Sequence, residues 1–96
     1  MKKPRILLAD DHVLVAEALR GMLASVYDVV GTVNDGRSLV DAAIALKPDL
    51  IVVDIGMPKL NGLDATMQIK RLLPNVKVIV LTMNEESGLV VDAFKA

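Results

Sequence analysis

Apolar stretches alternate with turn-forming residues along the whole chain, and the spacing of the apolar positions changes from one stretch to the next. Four short stretches rich in aliphatic and β-branched residues predict strands, and the high apolar content of the chain favours burial of strands on both faces. Between these runs apolar residues recur every three or four positions, which predicts amphipathic helices. The predicted strands are residues 5–9, 27–33, 49–53 and 76–81, and the predicted helices are residues 12–24, 37–46, 63–73 and 85–95.

Local signals set the helix boundaries. Lys47 precedes Pro48, and a residue in that position is disfavoured in the helical region, so the second helix is expected to end there. The last helix is predicted from acidic residues in its first turn and Lys95 in its last turn, as the helix dipole favours. The first helix has one apolar face, in which the row of Leu14, Ala18 and Met22 is extended by Val15, Leu19 and Leu23.

The alternation of strands and helices predicts an α/β fold, an open parallel sheet with helices on both faces. In such sheets the ligand site lies at the carboxyl ends of the strands. The residues that follow the four predicted strands are therefore the candidates for chemistry. They are Asp10 and Asp11, Asn34 and Asp35, Asp54, and Thr82.

Composition narrows the class of protein further. The 96 residues are sufficient for a single domain, and no apolar run approaches the roughly 18 residues that span a bilayer. With a net charge of −1, no basic patch and only two aromatic residues, direct binding of nucleic acid is not expected. The chain has no cysteine, which excludes a disulfide framework and a thiol nucleophile, and the apolar stretch near its start is too short for a secretion signal. We therefore expect a cytoplasmic protein.

Carboxylates at two strand ends give the strongest chemical signal. If the first and third strands are neighbours, Asp10, Asp11 and Asp54 share one pocket. Two like charges about 4 Å apart repel by roughly 4 kcal/mol at an effective dielectric constant of 20, so protonation or a cation must relieve the repulsion. Mg²⁺ suits a site of few carboxylates, waters and a phosphate, and it leaves one carboxylate free to attack phosphorus. The alternative is that these acids only cap helices and solvate loops.

Four motifs in this order resemble the receiver domains of bacterial two-component response regulators. They are Asp10-Asp11, Asp54, the segment 54–62 that follows the pattern Asp-x-x-Met-Pro-x-x-x-Gly, and Leu81-Thr82. The start Asp10-Asp11-His12 and the phrase Pro48-Asp49-Leu50 are most similar to the subgroup that carries a helix-turn-helix DNA-binding domain. His12 itself is interpreted as a helix-start residue.

The resemblance implies a flavodoxin-like fold with strand order 2-1-3-4 and a function in signalling rather than enzymatic turnover. Asp54 corresponds to the phosphoacceptor, which takes its phosphoryl group from a sensor histidine kinase in a reaction that needs Mg²⁺. Asp11 corresponds to the direct metal ligand, Asp10 to a ligand through water, and the carbonyl group of Gly56 completes the set. Thr82 corresponds to the hydroxyl that contacts the bound phosphoryl group. The implied output is regulation of transcription.

The family pattern continues with a fifth strand, which carries a lysine, and a fifth helix. Residues 1–96 are therefore expected to be a receiver domain truncated before these elements. The edge of the fourth strand and the apolar surface of the first helix would then be uncovered, which predicts a homo-oligomer or a segment-swapped dimer through these surfaces.

Two other functions remain open. Without the lysine, the domain could be an interaction module that is silent to phosphorylation. A phosphatase or phosphotransferase with an aspartyl-phosphate intermediate commonly has a second acid two residues after the nucleophile, and here that residue is Gly56.

Overall fold

A computed structural model describes residues 3–54, 62–84 and 88–94, with side chains for residues 3–54 and 64–81. Three helices and five strands follow one another along these ranges. They are β1 (Arg5–Ala9), α1 (Val13–Leu23), β2 (Asp28–Val33), α2 (Gly36–Leu46), β3 (Leu50–Asp54), α3 (Gly62–Leu72), β4 (Lys77–Asn84) and β5 (Gly88–Phe94). Within the described ranges no helix is long and apolar enough to cross a membrane.

The sheet has the strand order β2-β1-β3-β4-β5. β1 lies between β2 and β3 and is parallel to both, and β3 is parallel to β4. The predicted parallel sheet with order 2-1-3-4 is thereby confirmed. Because β1 and β3 are neighbours and run in the same direction, their carboxyl ends meet at the same edge of the sheet.

Both faces of the sheet carry a buried cluster, which explains why the strands are apolar without alternation. On one face, α2 and α3 cover the strands through Leu39, Ala43, Ala65 and Ile69, all at most 1% exposed. On the other face, Leu19 and Leu23 of α1 pack against a cluster that includes Ile6, Leu8, Val52 and Leu81. The central strands β1 and β3 are therefore held from both sides, which fixes the positions of the residues at their ends.

The prediction of a helix over residues 85–95 is wrong. Residues Gly88–Phe94 form β5, which pairs antiparallel with β4 from Val78↔Phe94 to Asn84↔Gly88. The helix prediction depended on charges at the two helix ends, and such charges contribute only about 0.3–1 kcal/mol each. Pairing as a strand satisfies the hydrogen-bonding groups along the open edge of β4, and the run Leu89-Val90-Val91 has the composition of a strand.

The edge of β4 is consequently not available for association, and this part of the oligomer prediction is also wrong. β5 occupies that edge along seven residue pairs, and the outer strands of the sheet are β2 and β5. A strand supplied by the chain itself removes the unpaired backbone groups that would have recruited a second copy.

The outer row of α1 remains uncovered, as predicted. Leu14 is 85% exposed, Met22 is 73% exposed, and Ala18 between them is exposed as well. No residue of α1 is fully buried, because only the row of Leu19 and Leu23 contacts the sheet. The helix thus presents a strip of apolar side chains to its surroundings, which we call the α1 strip (Leu14, Ala18 and Met22).

Candidate functional site

The register of β1 and β3 brings Asp10 beside Asp54. Ala9 pairs with Val53, so the residue after β1 and the last residue of β3 lie at the same level of the sheet. The backbone N–H of Asp10 donates to the carbonyl oxygen of Val33 at 2.9 Å, which extends the contact between β1 and β2 by one residue. The side chains of Asp10 and Asp54 are only 6% and 10% exposed. Two carboxylates are therefore fixed, nearly buried, at the carboxyl edge of the sheet.

Asp11 and His12 complete a cluster around these two carboxylates. Asp10, Asp11, His12 and Asp54 each offer one potential ligand atom, and these atoms lie within 4.8 Å of one another. The predicted convergence of the three carboxylates is thus observed in the structure. We call these four residues the carboxylate–histidine cluster. Their roles in metal binding and phosphorylation remain predictions.

The side chain of His12 lies among the carboxylates. Its backbone occupies the N-cap position of α1, as the interpretation of a helix-start residue implied, but its side chain makes no capping hydrogen bond. The atom Nδ1 is 3.1 Å from Asp10 Oδ1, 3.1 Å from Asp11 Oδ1 and 3.4 Å from Asp54 Oδ2. Sequence reasoning missed this arrangement, although a histidine directly after two aspartates at a strand end was the available signal.

The carboxylates change the acid–base behaviour of His12. Its pKa is raised above the ordinary value of 6.5, first by the hydrogen bond to Asp10 and next by the negative charge of Asp11. Partial desolvation of the ring opposes this shift. Without a bound cation, a protonated His12 therefore places a positive charge beside the three carboxylates.

Asp10 also has a structural role. Its Oδ1 accepts a hydrogen bond from the backbone N–H of His12 at 2.8 Å, which shapes the turn between β1 and α1. The alternative interpretation, that these acids stabilise loops, therefore applies in part to Asp10. It does not account for the convergence of Asp54, which comes from a different strand, on the same few ångströms.

The donor set fits a hard divalent cation. Carboxylate oxygens are the ligands that Mg²⁺ prefers, and receiver domains use Mg²⁺ in general. Asp10, Asp11 and Asp54 bring three carboxylates within reach of one ion. A bound cation would relieve the repulsion among these carboxylates, two of which are nearly buried.

Asp35, at the end of β2, serves a different purpose. Its Oδ1 accepts from the backbone N–H of Ser38 at 2.8 Å, and its Oδ2 accepts from the hydroxyl group of Ser38 at 3.1 Å. Asp35 is therefore the N-cap of α2. Capping of α2 therefore accounts for the presence of an acid at this position.

Two predicted site residues are described only in part or not at all. Thr82 lies in β4 directly after Leu81, which pairs with Asp54, and its backbone is opposite Val90 of β5. The backbone thus brings Thr82 next to the end of β3, while its side chain lies outside the described set. Gly56, with the rest of residues 55–61, lies outside the described residues.

Residues 6–96 match the family described as the response regulator receiver domain. The chain is 36% identical over 93 residues to the chemotaxis protein CheY of Thermotoga maritima, a match that covers 96% of this chain and 78% of that protein. It is 40% identical over 91 residues to the response regulator protein VraR of Staphylococcus saprophyticus, covering 93% of this chain and 44% of VraR.

Solved structures agree with these matches. RcsB of Salmonella typhimurium, a response regulator that interacts with DNA, is similar with a TM-score of 0.79 at 31% identity, covering 88% of this chain and 44% of RcsB. Another solved structure contains two RcsB dimers bound to two parallel DNAs. The chain thus spans less than half the length of VraR and of RcsB.

Proposed function

Because this chain belongs to the response regulator receiver domain family, we propose that Asp54 is the phosphoacceptor of a signalling switch. The observation that carries the proposal is the convergence of Asp54 with Asp10 and Asp11 at the carboxyl edge of two adjacent parallel strands. Three acids in this position provide both a nucleophile and the ligands for a divalent cation. A single acid at a strand end could not serve as the nucleophile and also supply the ligands for a cation.

The chemistry is a transfer of one phosphoryl group. A carboxylate oxygen of Asp54 forms a bond to phosphorus while the bond from phosphorus to a histidine nitrogen of the kinase breaks. The departing imidazole keeps the electron pair of that bond and takes up a proton. Bound Mg²⁺ supplies neutralisation of charge on the phosphoryl oxygens. The domain is a recipient of the group and at most catalyses its own phosphorylation and dephosphorylation.

Two further residues have assigned roles in this proposal. The hydroxyl group of Thr82 contacts the phosphoryl oxygens once they are attached, and the carbonyl group of Gly56 completes the protein's ligands to the metal. The register supports the role of Thr82, because Leu81 pairs with Asp54 and Thr82 is the next residue in β4. Asp11 would hold the metal directly and Asp10 would hold it through water.

The donor is a sensor histidine kinase and the output is regulation of transcription in the cytoplasm. Support comes from relatives such as VraR, which is named a response regulator, and a second relative, DegU of Brevibacillus brevis, which is named a transcriptional regulatory protein. This chain has a net charge of −1, and we assign it no direct contact with nucleic acid.

The α1 strip is the surface that we assign to a second copy of the chain. An antiparallel crossing centred at Ala18 places Leu14 of one copy level with Met22 of the other. The apolar residues of the strip are therefore self-complementary in this crossing, and RcsB is an example of a relative that forms dimers.

The test uses beryllofluoride, which mimics an attached phosphoryl group, and nuclear magnetic resonance of the backbone amides. In the presence of Mg²⁺ we expect shifts at Asp54 and Thr82, and we expect the Asp54→Asn variant to lose them. Asp41→Asn is the matched control, because Asp41 is an exposed acid on α2 outside the cluster.

Each outcome of this test is informative. Shifts that persist in the Asp54→Asn variant would refute the assignment of the phosphoacceptor. If the wild-type chain shows no response, the silent interaction module replaces the switch. Continuous hydrolysis of phosphate esters would instead support an enzyme.

A further inference from the structure

His12 is the only histidine of the chain, and its imidazole is the one nitrogen donor in the carboxylate–histidine cluster. The ring is 60% exposed, so packing does not hold it in place. Its Nδ1 nevertheless approaches carboxylate oxygens of three residues from two different strand ends. A ring that served only to begin α1 could point into solvent instead.

The distances around Nδ1 are those of hydrogen bonds and ion pairs, and they are also compatible with ligands on a common ion. When a metal lies about 2.1 Å from each of its ligands, neighbouring ligand atoms are about 3.0 Å apart in octahedral geometry and about 3.4 Å apart in tetrahedral geometry. The observed separations from Nδ1 to Asp10, Asp11 and Asp54 are 3.1, 3.1 and 3.4 Å. Nδ1 and the carboxylate oxygens can therefore bind one cation with small adjustments of the side chains.

We propose that His12 is a ligand that gives this cation site a preference for borderline transition-metal ions, such as Zn²⁺ or Co²⁺, over Mg²⁺. The inference rests on the proposed function, because it concerns the same cation site, and it extends that function by naming the class of metal. Imidazole nitrogen is a preferred ligand of zinc and cobalt, whereas Mg²⁺ prefers oxygen and retains water.

The exposure of the ring gives the site two modes of binding. Mg²⁺ is held by the carboxylates and water, and the ring of His12 can turn away into solvent without the loss of a packed core contact. A transition-metal ion gains the nitrogen as an additional ligand. Loss of the imidazole should consequently weaken the binding of one class of ion and leave the other nearly unchanged.

Isothermal titration calorimetry of the full chain with ZnCl₂ and, separately, with MgCl₂ tests the inference, with no phosphoryl donor present. In His12→Phe the ring shape is kept and the nitrogens are lost. We expect the dissociation constant for Zn²⁺ to rise by about tenfold or more and that for Mg²⁺ to change by less than about threefold. The absorption spectrum of bound Co²⁺ is a second measurement, and it should change in His12→Phe.

Asp11→Asn shows whether the histidine acts within the cluster. This variant should weaken the binding of both ions, because it removes a shared ligand. If His12→Phe leaves the affinity for Zn²⁺ unchanged, the inference is wrong. It is equally wrong if His12→Phe weakens the binding of Zn²⁺ while Asp11→Asn does not, because the histidine then binds zinc away from the carboxylates.

The proposed function fails by a different result. Lack of any Asp54-dependent response to beryllofluoride would remove the phosphoacceptor assignment even if the metal preference were found. An equal loss of Zn²⁺ and Mg²⁺ affinity in His12→Phe would overturn the metal preference, while a normal response to beryllofluoride would leave the phosphoacceptor in place.

Discussion

Replacement of Asp54 by asparagine removes one negative charge from the cluster and keeps the shape of the side chain. The ligand atoms of the cluster lie within 4.8 Å of one another, and the side chains of Asp10 and Asp54 are nearly buried. At 4.8 Å and an effective dielectric constant of 20, two carboxylates repel by about 3.5 kcal/mol. His12 and the surrounding solvent offset part of this repulsion, so we expect Asp54→Asn to raise the free energy of unfolding by about 1–2 kcal/mol without metal.

Mg²⁺ should reverse the order of stability of the wild-type chain and the Asp54→Asn variant. A cation that binds only the folded chain adds about 2.7 kcal/mol to the free energy of unfolding at a concentration of about 100 times its dissociation constant. The wild-type chain gains this stabilisation, and the Asp54→Asn variant, which has lost a ligand, gains less. The wild-type chain should therefore be the less stable of the two in chelator and the more stable in Mg²⁺.

Urea denaturation followed by far-ultraviolet circular dichroism measures both effects. The Asp41→Asn control should remain within about 0.5 kcal/mol of the wild type in both conditions, because Asp41 is exposed and distant from the cluster along the chain. If Asp54→Asn is destabilised in chelator, or if Mg²⁺ stabilises both proteins equally, the idea that crowded carboxylates require a cation is refuted.

Three further predictions concern the pKa of His12, the cap of α2 and the α1 strip. The pKa of His12 is raised in the folded state, so its protonated ring stabilises the fold fully below the ordinary pKa of 6.5 in chelator. This stabilisation is lost as the pH rises through the raised pKa. The difference in unfolding free energy between wild type and His12→Phe should therefore shrink from acid to alkaline pH. Asp35→Ala removes two hydrogen bonds to Ser38 and should lower the free energy of unfolding by about 1–2 kcal/mol in urea denaturation, whereas Asp35→Asn should retain most of it. The double replacement Leu14→Glu and Met22→Glu places charges on the exposed α1 strip and should convert a dimer to a monomer in light scattering. The midpoint of urea denaturation should change little. A dimer mass that is unchanged in this variant would exclude the α1 strip as the dimer surface.

The first four strands could be predicted from local signals, whereas their order 2-1-3-4, on which the main site depends, was implied by the resemblance to receiver domains. Residues 5–9 and 49–53 are apolar without alternation, which is typical of strands covered on both faces, and the structure buries them in this way. Once β1 and β3 are neighbours, geometry brings the residues after them together. Asp10 and Asp54 thus meet because β1 and β3 are paired in the sheet.

The segment 88–94 could not be predicted in this way because its structure depends on a distant partner. Its sequence is compatible with a helix or a strand, and the open edge of β4 decides between them. That edge is a property of the assembled sheet and has no signature within residues 85–95. A local pattern with weak end charges is a poor guide where an unpaired strand is available.

His12 shows a second limit of sequence reasoning. Its position at the start of α1 followed from the change in periodicity, but the direction of its ring depends on where Asp54 lies, 42 positions further along the chain. Asp35 is the opposite case, because an acidic residue three positions before Ser38 at a helix start is a recognisable capping pattern. Asp35 is nevertheless among the residues predicted to carry chemistry, and its capping role became evident only in the fold.

Peptide mass spectrometry after incubation with Mg²⁺ and a small phosphoryl donor such as phosphoramidate tests the central claim most directly. The account predicts that the peptide containing Asp54 gains the mass of one phosphoryl group, that chelator abolishes the gain, and that Asp54→Asn never shows it. A phosphoryl group found on any other residue, or on Asp54 to the same extent in chelator, would contradict the account.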